Sequence, residues 1–220
     1  MLITIEAMLG DTDRKIISKY IQDQGTQFED GGKTAGRQAK QVKHNEQLPF
    51  VLSDPVTQKV AAVLGANPVF AAAARPKAIV RLLVSRYRPG MDYGLHVDDA
   101  LMDGVRTDLS FTLFLSDPKS YSGGELIIES TEGATEIKPD AGSLVLYPAT
   151  SLHRVAPVTR GERVAVVGWV RSLIRGSDER EALFDLENAI AMARQANAER
   201  ALIDTLLKVK MNLLRLWVED

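Results

Sequence analysis

The sequence predicts a mainly β fold, an antiparallel sandwich or barrel with helices before and after it, on three observations. Between residues 77 and 172 the chain breaks into short β-branched or alternating runs, AIVRLLVSRY, DLSFTLFLS, GELIIES, TEIKP, SLVLYP and RVAVVGWVRS, separated by Pro, Gly, Asp and Ser. The connections between these runs are too short for the crossover helices that parallel strands require. Outside that region apolar residues recur at helical spacing instead.

In chain order, the first fifth reads as a short helix capped by Asp11, with Ile16, Ile17, Tyr20 and Ile21 on its apolar side. The segment GGKTAGRQAKQVKHNEQ that follows is polar and glycine-rich and is expected to be open. It carries Lys33, Arg37, Lys40 and Lys43 without an intervening acid, which reads as a solvated face or as an electrostatic lip for an anionic partner. His44, in the same segment, is expected to be solvated. A second helix begins at Ser53-Asp54-Pro55, where a capping side chain precedes proline in the first turn, and stops at Gly65. Ala71 to Ala74 extend a further short helix after Pro68. Beyond Gly176, Leu183, Leu186 and Ile190, then Ile203, Leu206, Leu207, Leu213, Leu214 and Trp217, predict two helices joined near Ala196 to Ala198. Their leucine stripe is expected to pack on the β body, with a dimer interface as the sharper alternative.

Composition excludes several chemistries. With 27 Lys+Arg against 29 Asp+Glu the net charge is -2, so nucleic acid is unsupported as a partner. The chain has no cysteine, which removes disulfide scaffolds, thiolate zinc sites, iron–sulfur clusters and cysteine nucleophiles together; any metal must sit on His, Asp or Glu. The start, MLITIEAMLGDTDRK, lacks a basic region before its apolar residues and does not read as a signal peptide, and no apolar run approaches the roughly 20 residues of a spanning helix. A cytoplasmic protein without a membrane partner is the expectation.

Two of the three histidines fall inside the β region, as His96-Val97-Asp98 near its start and His153 near its end. Residues i and i+2 of an extended strand project to one side, so His96 and Asp98 offer a nitrogen and a carboxylate to one ion while Asp99 points away; His153 completes the set from a later strand. Two imidazoles and one carboxylate on one face leave coordination positions open, the arrangement of non-haem Fe(II) oxygenases, whereas a structural zinc site closes its fourth position with a protein ligand. Asp99 and Asp103 stay open as fourth candidates. Arg163 shares a strand face with Ala165, Val167 and Trp169, and a guanidinium there needs an anion. An internal acid such as Glu125 and an anionic cosubstrate are the two readings. Trp169 is expected in the core beside it, and Gly123 and Gly124 in a turn before the next strand.

The stretches YRPGMDYGLHVDD (87 to 99), SGGEL (122 to 126) and AGSLVLYPATSLHRVAPVTRGERVAVVGWVRS (141 to 172) resemble the Fe(II)/2-oxoglutarate dioxygenases of the prolyl 4-hydroxylase-like type. More narrowly, the chain resembles the bacterial PKHD-type hydroxylases, also called the PiuC or YbiX group, because TAGRQAKQVKHNEQL and the tail beginning REALFDLENAI are also similar to that group. The resemblance implies a double-stranded β-helix, or jelly roll, in residues 1–175 together with N-terminal helices, and a C-terminal helical extension in residues 176–220. It implies His96, Asp98 and His153 as Fe(II) ligands and Arg163 as the residue binding the distal carboxylate of 2-oxoglutarate. Tyr87, in the YxPG element, matches a tyrosine that hydrogen-bonds the cosubstrate in related hydroxylases. Related enzymes can also have a tyrosine on the strand corresponding to residues 109 to 115; here that contact is absent or replaced by Thr112. The expected reaction consumes 2-oxoglutarate and O2, forms succinate and CO2, and hydroxylates a second substrate, with L-ascorbate re-reducing the iron.

The primary substrate is not identified by these residues. The broad family name suggests a prolyl side chain of a protein, and the basic segment equally suits an acidic peptide or an anionic metabolite. A rival reading is a non-catalytic, metal-dependent small-molecule binding or sensing jelly roll, separated from the enzyme by oxygen consumption coupled to succinate. A purely structural interaction protein would leave His96, Asp98 and His153 apart.

Overall fold

Strand-forming residues build two facing antiparallel sheets, and these reach beyond the predicted β region on its N-terminal side. The computed structural model describes residues 1–33, 39–49 and 54–219. The strands are β1 (Ile3–Ile5), β2 (Glu29–Asp30), β3 (Lys43–His44), β4 (Glu46–Pro49), β5 (Pro76–Tyr87), β6 (Asp92–His96), β7 (Leu101–Met102) and β8 (Val105–Arg106). They continue as β9 (Leu109–Phe114), β10 (Ser122–Gly123), β11 (Leu126–Ser130), β12 (Gly133–Ile137), β13 (Leu144–Pro148), β14 (His153–Val155), β15 (Val158–Arg160) and β16 (Arg163–Ser172). The helices are α1 (Asp11–Asp23), α2 (Pro55–Ala66), α3 (Pro68–Ala74), α4 (Ser177–Gln195) and α5 (Arg200–Trp217).

The larger sheet runs β1-β13-β9-β16-β5-β4-β2 and the smaller β12-β11-β14-β6-β3, with β7-β8 and β10-β15 as short pairs. Several neighbours in each sheet are distant in sequence, β1 beside β13, β9 beside β16 and β14 between β11 and β6, as in the predicted jelly roll, which is the fold of this chain. The period-two pattern sorts the larger sheet into two faces. Leu82, Val84, Leu109, Phe111, Leu113, Leu144, Leu146, Val166 and Val170 join Ile17, Ile21, Val60, Leu64 and Phe70 of the helices in the main apolar core. Phe70 meets Phe111 edge to face at 5.9 Å. The alternate residues, Arg81, Leu83, Ser85 and Tyr87 of β5, Ser110 and Thr112 of β9, Tyr147 of β13, and Arg163, Val167 and Trp169 of β16, line a cavity beneath the smaller sheet.

The helix starts differ from the expected caps. Gly10, not Asp11, is the cap of α1, and Asp11 pairs with Arg14 at 2.7 Å from within the first turn. Asp54 precedes α2, but its carboxylate accepts from the Tyr20 hydroxyl at 2.8 Å and so ties α1 to α2. Ser53 lies outside the described residues. The helix passes Gly65 to end at Ala66, and the Asn67 side chain accepts from the Phe70 amide at 3.0 Å to start α3.

The segment expected to be open supplies strands to both sheets: β4 pairs with β5, and β3 pairs with β6, Lys43 opposite Tyr93. Shortness and polarity concealed it: β3 is a two-residue edge strand, and β4, between β5 and β2, buries a single apolar side chain, Leu48, among its described residues. Thr34 to Gln38, including Arg37, lie outside the described residues. The leucine stripe of the tail is also covered differently than expected. α4 buries Leu183, Ile190 and Arg180, whose Nη1 donates to the carbonyls of Ile174 and Arg175 at 2.7 and 2.8 Å. α5 lies mainly on α4, with Lys210 Nζ 2.6 Å from Glu187, and only its end returns to the β body, where Val218 bridges Ile174 and Arg106 donates to Glu219 at 2.7 Å. Ile203, Leu207, Leu214 and Trp217 share the Lys210 face by their spacing and are half-buried. Leu202, Val209 and Leu216, seven residues apart, stay 50%, 43% and 75% exposed.

Gly168 on β16 supplies the space for the tightest part of this core. A Cβ there would lie 2.5 Å from Phe111 Cζ and 2.6 Å from Leu82 Cδ2. Gly168→Ala is therefore expected to destabilise the protein by about 1–3 kcal/mol through overpacking. Gly65→Ala, which meets nothing within 4 Å inside α2, is expected to be neutral or stabilising by up to ~1 kcal/mol. Urea denaturation of the two variants checks both signs.

Candidate active site

The histidines meet because β14 pairs antiparallel with β6 in the register that sets His153 directly opposite His96. Asp98 lies just past the end of β6, and one ligand atom from each of the three residues falls within 4.8 Å of the others. His96 Nε2 is 3.8 Å from Asp98 Oδ1, and His153 Nε2 is 3.8 Å from Asp98 Oδ2. Each imidazole is fixed by its own backbone: His96 Nδ1 lies 2.8 Å from Gly94 O and His153 Nδ1 lies 3.0 Å from Ser151 O. A carbonyl only accepts, so each Nδ1 carries the proton and each Nε2 presents a lone pair to the centre. Ser110 Oγ donates to Asp98 Oδ2 at 2.5 Å and sets the carboxylate from β9. The Tyr93 ring stacks on His96 at 3.6 Å and 13°, and Tyr147 stands against His153 at 5.0 Å.

Burial and the neighbouring His153 lower the His96 pKa to about 4, so the ring is neutral and ready to ligate near pH 7. Nitrogen and oxygen donors without thiolate, on one side of a partly open cavity, fit Fe(II) with free coordination positions. Neither sequence alternative for a fourth ligand joins the cluster: Asp103 pairs with Arg81 at 2.7 Å, and Asp99 is exposed. His44 is exposed, 2.8 Å from Asp92, as expected of a solvated histidine.

Arg163 is the largest fully buried side chain and lines the same cavity, cross-strand from Tyr87, whose ring centroid lies 5.2 Å from its Cζ. Among the described residues no carboxylate lies within ion-pair distance of it. Glu125, the internal candidate, is 3.3 Å from Lys138 Nζ instead, and the Arg163 Nε has no hydrogen-bond partner among the described residues. Gly124, at φ +71°, makes room for this arginine, since a Cβ there would sit 3.0 Å from Arg163 Cδ. Tyr87 is buried, which raises its phenol pKa against the opposing pull of the Arg163 charge. Thr112 is buried on the cavity face.

Two residues depart from their sequence reading. Trp169 is half-buried and lines the cavity, its indole Nε1 lacking a hydrogen-bond partner among the described residues. Lys43 is neither a solvated residue nor part of a lip: it is buried in the cavity with Nζ 5.0 Å above the Tyr93 ring. Burial lowers its pKa to about 8, with Asp98 opposing and Arg81 reinforcing the shift. Lys33 and Lys40 remain exposed, Lys33 paired with Glu29 at 3.1 Å. Ser110 escaped sequence reasoning too, although polar residues at alternate positions of the otherwise apolar run DLSFTLFLS signal a polar cavity face.

Ser110→Ala is expected to weaken divalent-metal affinity about 10–100-fold by freeing the Asp98 carboxylate, and Asp98→Ala to abolish it. Calorimetric titration with Fe(II) or Co(II) measures both. In the metal-free protein, His96 stays neutral when folded while the unfolded chain's histidine protonates near pH 6.5. Stability is therefore fully present above that pH and falls as pH drops toward 4. Thermal melts of chelator-treated protein between pH 7.5 and 4.5 should show this decline, with a smaller decline in His96→Gln.

Residues 82–171, which hold all the ligand candidates, match the family model of the 2OG-Fe(II) oxygenase superfamily. The chain is 52% identical over 221 residues to a PKHD-type hydroxylase of Parvibaculum lavamentivorans, covering 100% of both. It is 56% identical over 194 residues to one of Maricaulis maris, covering 88% of this chain and 89% of the other. A prolyl hydroxylase from Trichoplax adhaerens, solved in complex with a hypoxia inducible factor oxygen degradation domain peptide fragment, is similar in fold. Its TM-score is 0.62 at 14% identity over 83% of this chain and 86% of that one. Full-length identity of this order, together with the convergent His96, Asp98 and His153, establishes that the chain belongs to the PKHD-type hydroxylases of the 2OG-Fe(II) oxygenase superfamily.

Proposed function

We propose that His96, Asp98 and His153 hold the Fe(II) of this dioxygenase and that Arg163 holds the far carboxylate of 2-oxoglutarate. The observation that carries the second assignment is a fully buried guanidinium, in the cavity of the triad, with no acid of its own among the described residues. A planar, permanently charged fork matches a carboxylate bidentately, and a dicarboxylate is what bridges a metal and a remote cation. Bound Fe(II) supplies the activation of O2 that couples decarboxylation of 2-oxoglutarate to succinate and CO2 with hydroxylation of the second substrate. The chain's own part is to present two Nε2 lone pairs and a carboxylate in a preset arrangement, with Ser110 holding Asp98. Tyr87, beside Arg163, contributes a hydroxyl to the cosubstrate end. Phe111, Leu126 and Val155 form apolar wall that keeps bulk water from the reacting groups.

Residues 1–175 carry the chemistry and 176–220 form an extension, a division supported by the cavity-lining residues all falling between Ala39 and Trp169 among those described. Similarity of fold to the Trichoplax enzyme supports a prolyl side chain of a peptide or protein as the hydroxylated group. L-Ascorbate is the reductant that sustains turnover. Among the described residues no helix is long and apolar enough to cross a membrane, which, with the lack of cysteine, supports a cytoplasmic location. Leu202, Val209 and Leu216 form the face through which two copies associate.

Arg163→Met is expected to cost about 2–5 kcal/mol in 2-oxoglutarate binding, and Arg163→Lys less, with metal affinity intact in both. Succinate formation against 2-oxoglutarate concentration tests this; an unaltered dependence in Arg163→Met refutes the assignment. Leu216→Glu is expected to shift the sedimenting species toward monomer, and an unchanged distribution removes the association.

A further inference from the structure

Asn45 is the residue between β3 of the smaller sheet and β4 of the larger. It is buried, and its Nδ2 donates to Ser85 Oγ at 2.7 Å. Ser85 and Tyr87 share one face of β5, both buried and both lining the cavity of the triad. Burial raises the Tyr87 pKa, while the Arg163 charge and then hydrogen bonding from Ser85 and Asn45 pull against it, so both polar side chains act on the phenol oxygen. The Asn45 carboxamide has a support of its own. Asn45 O accepts from Gly31 N at 2.8 Å, and a Cβ at Gly31 would collide with Asn45 Oδ1.

We propose that Asn45 and Ser85 are positioning residues of the cosubstrate site, aligning a chain of donors from Asn45 to Ser85 to Tyr87 whose last proton meets a carboxylate of 2-oxoglutarate. The inference rests on the role given above to Tyr87 at the cosubstrate end. Its warrant is the direction of the chain. A carboxamide has a donor end and an acceptor end, and a Cα–H can only donate. The Gly31 hydrogen that stands where a Cβ would be points at Asn45 Oδ1, which has no N–H or O–H partner among the described residues. The acceptor end therefore faces Gly31, and the NH2 end is left for Ser85. A serine hydroxyl has one proton, and accepting from Asn45 leaves that proton for Tyr87. With its oxygen so engaged, Tyr87 turns its own proton to the cavity. The reverse direction would send that proton back to Ser85 and set a phenol lone pair against an incoming anion. Each link polarises the next, so the buried amide strengthens the final bond without touching the cosubstrate.

The test uses the full chain loaded with Zn(II), which has no redox chemistry, and reads 2-oxoglutarate affinity by calorimetry. Tyr87→Phe and Ser85→Ala are each expected to weaken binding about fivefold or more. The same loss is expected of Gly31→Ala, whose new methyl displaces the Asn45 carboxamide, or of Asn45→Ala should Gly31→Ala not fold. Ser85→Thr keeps the hydroxyl and should stay within about threefold of the wild-type chain. The decisive readout is the double variant. In the Tyr87→Phe background, Ser85→Ala should change affinity less than about twofold, because the chain then lacks its last link; a packing role of Ser85 gives the same loss in either background. Zn(II) affinity should stay within about twofold throughout, since none of these residues is a ligand. Wild-type affinity in Ser85→Ala, an undiminished loss in the double variant, or no recovery in Ser85→Thr would overturn the relay. A weakened Ser85→Ala beside an indifferent Gly31→Ala or Asn45→Ala would overturn the part given to Asn45. Failure of the Zn(II)-loaded wild-type chain to bind 2-oxoglutarate overturns the cosubstrate reading, and wild-type affinity in Tyr87→Phe overturns the role of Tyr87. A weakened Tyr87→Phe with an indifferent Ser85→Ala overturns the relay alone.

Discussion

The site depends on one non-local constraint, the register in which β14 meets β6. β14 has three residues, and side chains along a strand alternate between faces. A slip of one residue would keep much of the ladder yet turn His153 out of the cavity and put Leu152 or Arg154 in its place. What fixes the register lies on the other side of β14, where β11 pairs Leu126 with Val155 and Ile128 with His153. Leu126 and Ile128 are buried with Phe114, Val145 and Tyr147 between the sheets. The apolar cluster of the sandwich thus sets the coordinates of a polar site that it does not touch with ligands.

Electrostatics imposes a second requirement on the same cavity. Three cations, Lys43, Arg81 and Arg163, share it with the histidines, and Arg163 is almost wholly removed from water. A domain of this size has a stability of only about 5–15 kcal/mol, so an unanswered buried guanidinium is tolerable only if its desolvation is offset by contacts or by a ligand. Here Tyr87 and Phe114 flank it at 5.2 and 5.1 Å, giving partial cation–π compensation, and the remainder falls to an incoming anion. Affinity for that anion and the folding cost of the empty site are two aspects of one electrostatic debt.

Much of this was legible in the residues. AIVRLLVSRY, SLVLYP and RVAVVGWVRS read as strands because β-branched residues and alternation agree there. The ligand triad was legible because i, i+2 spacing and the scarcity of histidine narrow the choice to His96, Asp98 and His153. The strands β3 and β4 were not, since they are short, polar and stabilised by long-range pairing with β6 and β5 that composition does not encode. That failure concealed Lys43, which looked like one of four solvated cations until the pairing with β6 turned it inward. Trp169 was misread for a related reason: period two correctly grouped it with Arg163, but whether that face meets a core or a cavity depends on the opposite sheet. Ser110 required knowledge of which residue faces Asp98, a tertiary fact.

The local anchoring of the two imidazoles has a consequence for metal selectivity. Each ring is oriented by a carbonyl two residues before it in its own strand segment, so the donor arrangement stands before any ion arrives. Three donors leave the coordination number of the ion unspecified, and the set has no soft sulfur donor with which to discriminate among first-row ions. Intrinsic preference then follows the general order of divalent first-row metals, in which nickel and copper outrank iron. Loading with the functional ion is accordingly governed by which metals the surroundings supply, and the polypeptide itself exerts little choice.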